Sequence, residues 1–69
     1  MKETEWKPGM RIDYDDVSER VSDAWEDGFQ EHGSGTARGA NPKKPGTILW
    51  QAWDDGWEDG ERDERENPL

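Results

Sequence analysis

The sequence predicts an all-α protein: a small antiparallel two-helix hairpin over about 16–32 and 47–62, with an N-terminal extended arm and a Gly/Pro-rich basic loop. Three observations predict it. First, the hexapeptide Ala24-Trp25-Glu26-Asp27-Gly28-Phe29 recurs as Ala52-Trp53-Asp54-Asp55-Gly56-Trp57, at a constant offset of 28 residues (52 − 24). At helical spacing its alanine, tryptophan, glycine and last aromatic share one face, and the two acids between them point away. Second, an apolar stripe of 3.6-residue period runs through each copy. Third, the stretch 33–46 carries four glycines and two prolines, which excludes one continuous helix.

The elements follow in order within one small domain: 1–14 an arm, 15–33 the first helix, 34–46 the loop, 47–66 the second helix and 67–69 a frayed tail. In the arm, Pro8-Gly9 marks a turn, and Met10, Ile12 and Tyr14 alternate with Arg11 and Asp13 as in an extended segment. Trp6 either covers the small core or serves as a binding anchor. Asp16-Val17-Ser18-Glu19 fits a capping box with Asp16 as N-cap and Glu19 at the third helical position, and Tyr14 stands where a staple would. Val17, Val21, Ala24, Trp25, Gly28 and Phe29 then form the buried stripe. Gly33 is the expected left-handed cap. In the loop, Asn41-Pro42 and Pro45-Gly46 are turn signals. Thr47 caps the second helix, whose stripe is Leu49, Ala52, Trp53, Gly56, Trp57 and Gly60. Trp50 lies off that stripe, and either wraps round toward the arm or stays exposed. The expected core is Val21, Trp25, Phe29, Leu49, Trp53 and Trp57. An interior glycine disfavours a helix by about 0.5–1 kcal/mol relative to alanine. Gly28, Gly56 and Gly60 are tolerated if opposing rings must come close to the backbone.

Charge is strongly partitioned. The net charge is −9. Residues 15–33 sum to −6 (1 basic, 7 acidic) and residues 48–69 to −6 (2 basic, 8 acidic). Between them, 34–47 sum to +3 through Arg38, Lys43 and Lys44. Acidic surfaces of this kind either keep a small domain dispersed or attract basic partners by imitating phosphate. The basic loop either neutralises the helices or touches a phosphate backbone.

Chemistry is narrowed by what is missing. The chain has no cysteine and one histidine, His32, so disulfides and thiolate metal sites are excluded and a nucleophile–base pair has little to draw on. The glycine-rich loop lacks the phosphate-loop pattern. A calcium-loop frame fails, because starting at Asp55 puts Trp57 at the third position. No enzyme, cofactor or metal site is expected. No stretch approaches the ~20 apolar residues of a membrane span and no secretory signal is visible, so the expected location is the cytoplasm.

The run Gly35-Thr36-Ala37-Arg38-Gly39-Ala40-Asn41-Pro42, then Gly46-Thr47, then Ala52-Trp53-Asp54-Asp55-Gly56-Trp57 resembles the ribosome modulation factor family, over about residues 22–62. The shared pattern is a helix with a Gly-aromatic step, an Asn-Pro loop, and a helix carrying Ala-Trp-x-x-Gly-Trp. The resemblance implies a two-helix fold with a connecting loop and a role on the ribosome, where the founding member helps pair and silence ribosomes in slow growth.

Three functions remain open. One is a small non-catalytic regulator of translation or nucleic-acid machinery, acting by protein or RNA contact through Arg38, Asn41, Lys43, Lys44 and Trp50, with Trp50 or Trp6 stacking on a base. The alternative is an acidic inhibitor of the kind phages and mobile elements make. Its Asp23, Glu26, Asp27, Glu31, Asp54, Asp55, Glu58 and Asp59 would mimic nucleic-acid phosphates and block a DNA- or RNA-binding protein. The third is a structural subunit that homodimerises, because two short helices bury little. The expected partners are therefore a protein or ribonucleoprotein, such as the ribosome or a basic nucleic-acid-binding protein, or a second copy, and no membrane.

Overall fold

A computed structural model of the chain describes residues 6–67. The first five residues of the expected arm and the last two of the expected tail lie outside the described residues. Two α-helices dominate: α1, Glu19–Gly33, and α2, Ile48–Glu66. A single 3-10 turn, Arg38–Ala40, lies in the loop between them. No strand occurs among the described residues.

The second helix begins as the residues dictate. Lys44-Pro45-Gly46-Thr47 makes a turn closed by the Thr47 amide on the Lys44 carbonyl at 3.3 Å, with Gly46 at φ +86°. Thr47 then caps α2: its Oγ1 accepts from the Trp50 amide at 3.2 Å. The same turn chemistry recurs in the arm, where the Met10 amide reaches the Lys7 carbonyl at 3.0 Å and Gly9 takes φ +98°. Trp6 belongs to that turn, donating its indole N–H to the Met10 carbonyl at 3.0 Å. From there Ile12 packs on the core, while Met10 is 52% exposed.

The first helix starts later than expected. Asp13 and Asp16 close a turn (Asp16 amide to Asp13 carbonyl, 3.0 Å), and the Asp13 carboxylate takes the Asp15 amide at 3.1 Å. These short-range bonds keep Asp16 out of the helix. Ser18 is the N-cap, without a side-chain capping bond, so the Asp16–Glu19 capping box does not form. Tyr14 is no staple either; it reaches across to α2. At the other end Gly33 is the last helical residue. The left-handed position is Gly35, at φ +88°. Its amide bonds the His32 carbonyl at 3.0 Å and the Thr36 amide bonds the Glu31 carbonyl at 2.9 Å, the paired bonds of a Schellman motif.

The all-α pair of packed helices is as expected; its direction is not. Val21 and Ala24 cluster with Ala52, Ile48 and Leu49. Gly28 faces Trp53, Gly56 faces Trp25, Gly60 faces His32, and His32 pairs with Glu64. In these close pairs the partner lies 25 to 32 residues further along the chain (53 − 28 and 64 − 32), so the helices run the same way, near the register of the 28-residue repeat. The expected antiparallel hairpin rested on a short connection. The connection is 34–47, and at about 3.3 Å per extended residue it can retrace a 15-residue helix of about 22 Å. It does so along α2: Thr36 meets Trp57, Arg38 meets Asp54 and Asn41 meets Trp50.

The repeated glycines sit where the helices touch. A methyl carbon on Gly28 would overlap the Trp53 carbonyl and stand 3.1 Å from its Cα. One on Gly56 would overlap the Trp25 carbonyl and stand 3.0 Å from the Phe29 amide nitrogen. Each copy of the hexapeptide thus offers its glycine to the backbone beside the other copy's tryptophan. Val21, Ala52 and Trp53 are fully buried around this crossing. Trp25, Phe29, Leu49 and Trp57 are half-buried at its margins.

Candidate functional site

The residues expected to meet a partner fall into two groups that the structure treats very differently. The loop residues are largely turned inward. Arg38 places Nε 2.7 Å from Asp54 Oδ1 and one terminal nitrogen 2.8 Å from Oδ2, and also pairs with Glu58. Its guanidinium carbon lies 5.7 Å from the Trp57 ring centroid. The bond to Asp54 is the main reason that the Arg38 pKa is raised above its ordinary value. Asn41 donates to the Trp50 carbonyl at 3.0 Å and accepts from the Lys43 amide at 2.9 Å, so it ties the loop to α2. Trp50 is half-buried, Lys43 is half-buried and Lys44 is exposed. Arg38, a loop cation, is engaged with its own chain. The choice left open by the sequence, neutralisation or phosphate contact, goes to neutralisation for Arg38.

The acids divide as well. Asp54 does not point away; it is 7% exposed, because Arg38 follows it into the loop–helix seam. Half-buried Asp55 accepts the Tyr14 hydroxyl at 2.8 Å and the Gln51 amide at 2.9 Å. Partial burial of Tyr14, and then its bond to Asp55, hold its phenol well above the usual tyrosine range. Half-buried Asp59 accepts the Trp25 indole N–H at 3.1 Å and lies 3.1 Å from Arg62. Glu31 takes the Thr36 hydroxyl at 2.6 Å. Glu58 is exposed beside Arg38. On α1, Asp23, Glu26 and Asp27 are exposed. They line a groove of about 410 Å³ with Arg20, Gln30 and Lys43, floored by Ala24 and Leu49. Asp23, Glu26 and Asp27 are thus the candidate acids whose carboxylates have no partner among the described residues.

No family model matches the chain, and no curated protein or solved structure is significantly similar to it.

Sequence reading missed two kinds of residue here. Thr36 anchors both a carboxylate and the Trp57 indole N–H, which donates to its carbonyl at 2.7 Å; a lone threonine in a loop gives no signal of that. Asp63 and Glu64 were read only as part of the second helix, yet they line a cavity with Phe29 and Gly60. Among the described residues no group of three His, Asp or Glu is placed to hold a metal ion. No helix there is long and apolar enough to cross a membrane.

Proposed function

We propose that the chain is a small non-catalytic binding protein of the ribosome-modulation-factor type, acting on translation or nucleic-acid machinery through contact with a basic protein surface. One observation carries the reading. The two Ala-Trp-x-x-Gly-aromatic helices interlock through their glycines, and the Asn-Pro loop is pinned to the second of them by Asn41. Those are the residues on which the resemblance to that family rests. A protein target is favoured over RNA by charge. Two arms of −6 repel a phosphate backbone, and counterion release does not compensate when the chief loop cation is already paired. Asp23, Glu26 and Asp27 supply the contact face, and Lys43 borders it.

The second reading, an acidic mimic that occupies a nucleic-acid groove, is favoured by the same three exposed carboxylates on one helix face. Sedimentation with purified bacterial ribosomes at ~0.15 M salt separates the two. Co-sedimentation that survives competitor DNA supports the first reading. Absence of co-sedimentation, with capture of a basic DNA-binding protein that added DNA displaces, supports the second and overturns the first.

A further inference from the structure

Because α1 and α2 run the same way, both of their C-terminal ends lie at one end of the molecule. Each helix end carries the equivalent of about half a negative charge on its last carbonyls. Between the two ends is a cavity of about 320 Å³, lined by Phe29, His32, Gly33, Gly60, Asp63, Glu64 and Asn67, whose side-chain amide donates to the Asp63 carboxylate at 3.3 Å. The carboxylates of Asp63 and Glu64 add two full negative charges from α2. His32 is the one basic side chain of the lining, and its Nδ1 stands 3.5 Å from Glu64. A ring, two carboxylates and two helix C-termini converge on an open space. Each of these features favours a cation.

The molecule already holds one guanidinium in this manner. Arg38 lies over the Trp57 ring and between the carboxylates of Asp54 and Glu58. By the 28-residue offset, the counterpart of Trp57 is Phe29 (57 − 28). Arg38 serves the α2 ring, whereas Phe29 stacks on Trp25 with ring centroids 5.3 Å apart. Guanidinium suits such a place better than ammonium, because its plane stacks on a ring while its edge bonds carboxylates.

We propose that this cavity is a docking site for an arginine side chain of the basic protein partner. The proposal rests on the protein-partner reading above and gives that partner a specific anchor. The probe is a hexa-arginine peptide, titrated at ~0.15 M salt against the full chain with backbone amide chemical shifts as the readout. The amides of Gly33 and Gly60 are expected to move first. D63N/E64Q is expected to weaken binding by about fivefold or more, the scale of a lost charge pair at a partly desolvated ring. D15N/D16N, which removes the same two charges at the opposite end of the helix pair, is expected to change it by less than about twofold, the scale of a screened surface charge. Equal weakening by the two variants would overturn the proposal, since net charge alone would then explain binding. So would shifts confined to the Asp23–Asp27 face of the unsubstituted chain, a readout that needs no variant to fold. If D63N/E64Q still sediments with ribosomes as the parent chain does, the anchor fails and the protein-partner reading stands. If the peptide maps to the cavity but the parent chain ignores ribosomes and DNA-binding proteins alike, the partner reading fails and the cation site stands.

Discussion

At the scale of single residues, glycine and tyrosine carry the sharpest consequences. Gly28 and Gly33 belong to the same helix, yet only Gly28 meets the opposing backbone; nothing lies within 4 Å of a methyl carbon on Gly33. Alanine at either position gains helix propensity of about 0.5–1 kcal/mol. At Gly28 that gain is overwhelmed, because backbone cannot yield as a flexible side chain does. Gly28→Ala is expected to lose about 2 kcal/mol or more by denaturant unfolding, whereas Gly33→Ala is expected to be neutral or stabilising. Tyr14 gives a titration test. Its folded pKa is raised, so the stability it contributes is complete below the unfolded value of about 10 and is lost as pH rises beyond it. It is the only tyrosine, so phenolate absorbance reports it alone. Half-ionisation is expected well above pH ~10 in the folded chain, and Tyr14→Phe is expected to cost about 0.5–1.5 kcal/mol at neutral pH. A normal tyrosine titration in the folded chain would show that the bond to Asp55 does not persist in solution. Neither role was legible in the sequence. Glycine on a stripe signals close approach, but at Gly28 and Gly56 the guest is opposing backbone rather than the expected rings, and Tyr14 reaches a residue 41 positions away.

At the scale of elements, local chemistry was readable and tertiary chemistry was not. The start of α2 followed from Thr47 after Pro45-Gly46, because turn and cap are made by neighbours. The start of α1 was misread by three residues, since two local solutions compete at Asp13–Ser18 and the turn wins at Asp16. Gly35 rather than Gly33 takes the left-handed cap for a similar reason: adjacent glycines separated by one serine both qualify. Asp54 was assigned to the solvent face because its partner, Arg38, lies 16 residues back in a loop with no regular pattern. That ion pair holds loop to helix. Arg38→Met leaves a carboxylate that is 7% exposed without its partner. A fully buried pair would lose about 3–5 kcal/mol, but the Arg38 side chain is 45% exposed and solvent screens it, so about 1–2 kcal/mol is expected. Thermal melts of R38M and R38M/D54N decide it. The double variant is expected to recover most of the loss, and a second loss of similar size would mean that Asp54 has other partners.

At the scale of the whole molecule, the two-helix, all-α character was legible from the repeat, and the relative direction was not. Periodicity identifies the buried face of each helix but is indifferent to reversing one of them. The parallel arrangement has an electrostatic cost, because it gathers like helix poles and two arms of −6 into one body. Screening relieves that repulsion, so the melting temperature is expected to rise between ~0.01 and ~0.15 M salt, and a fall would contradict this account of the charges. The central structural claim is that the two copies of the hexapeptide lie side by side, in register and in the same direction. Proton–proton nuclear Overhauser effects test it most directly. Cross-peaks are expected from a Gly28 Hα to the Trp53 Hα, from a Gly56 Hα to the Phe29 amide proton, and from the His32 Hβ to Gly60. Cross-peaks that instead join Val21 to Gly60 and His32 to Leu49 would mean opposed helices, and would contradict both the pairing and the cavity built on it.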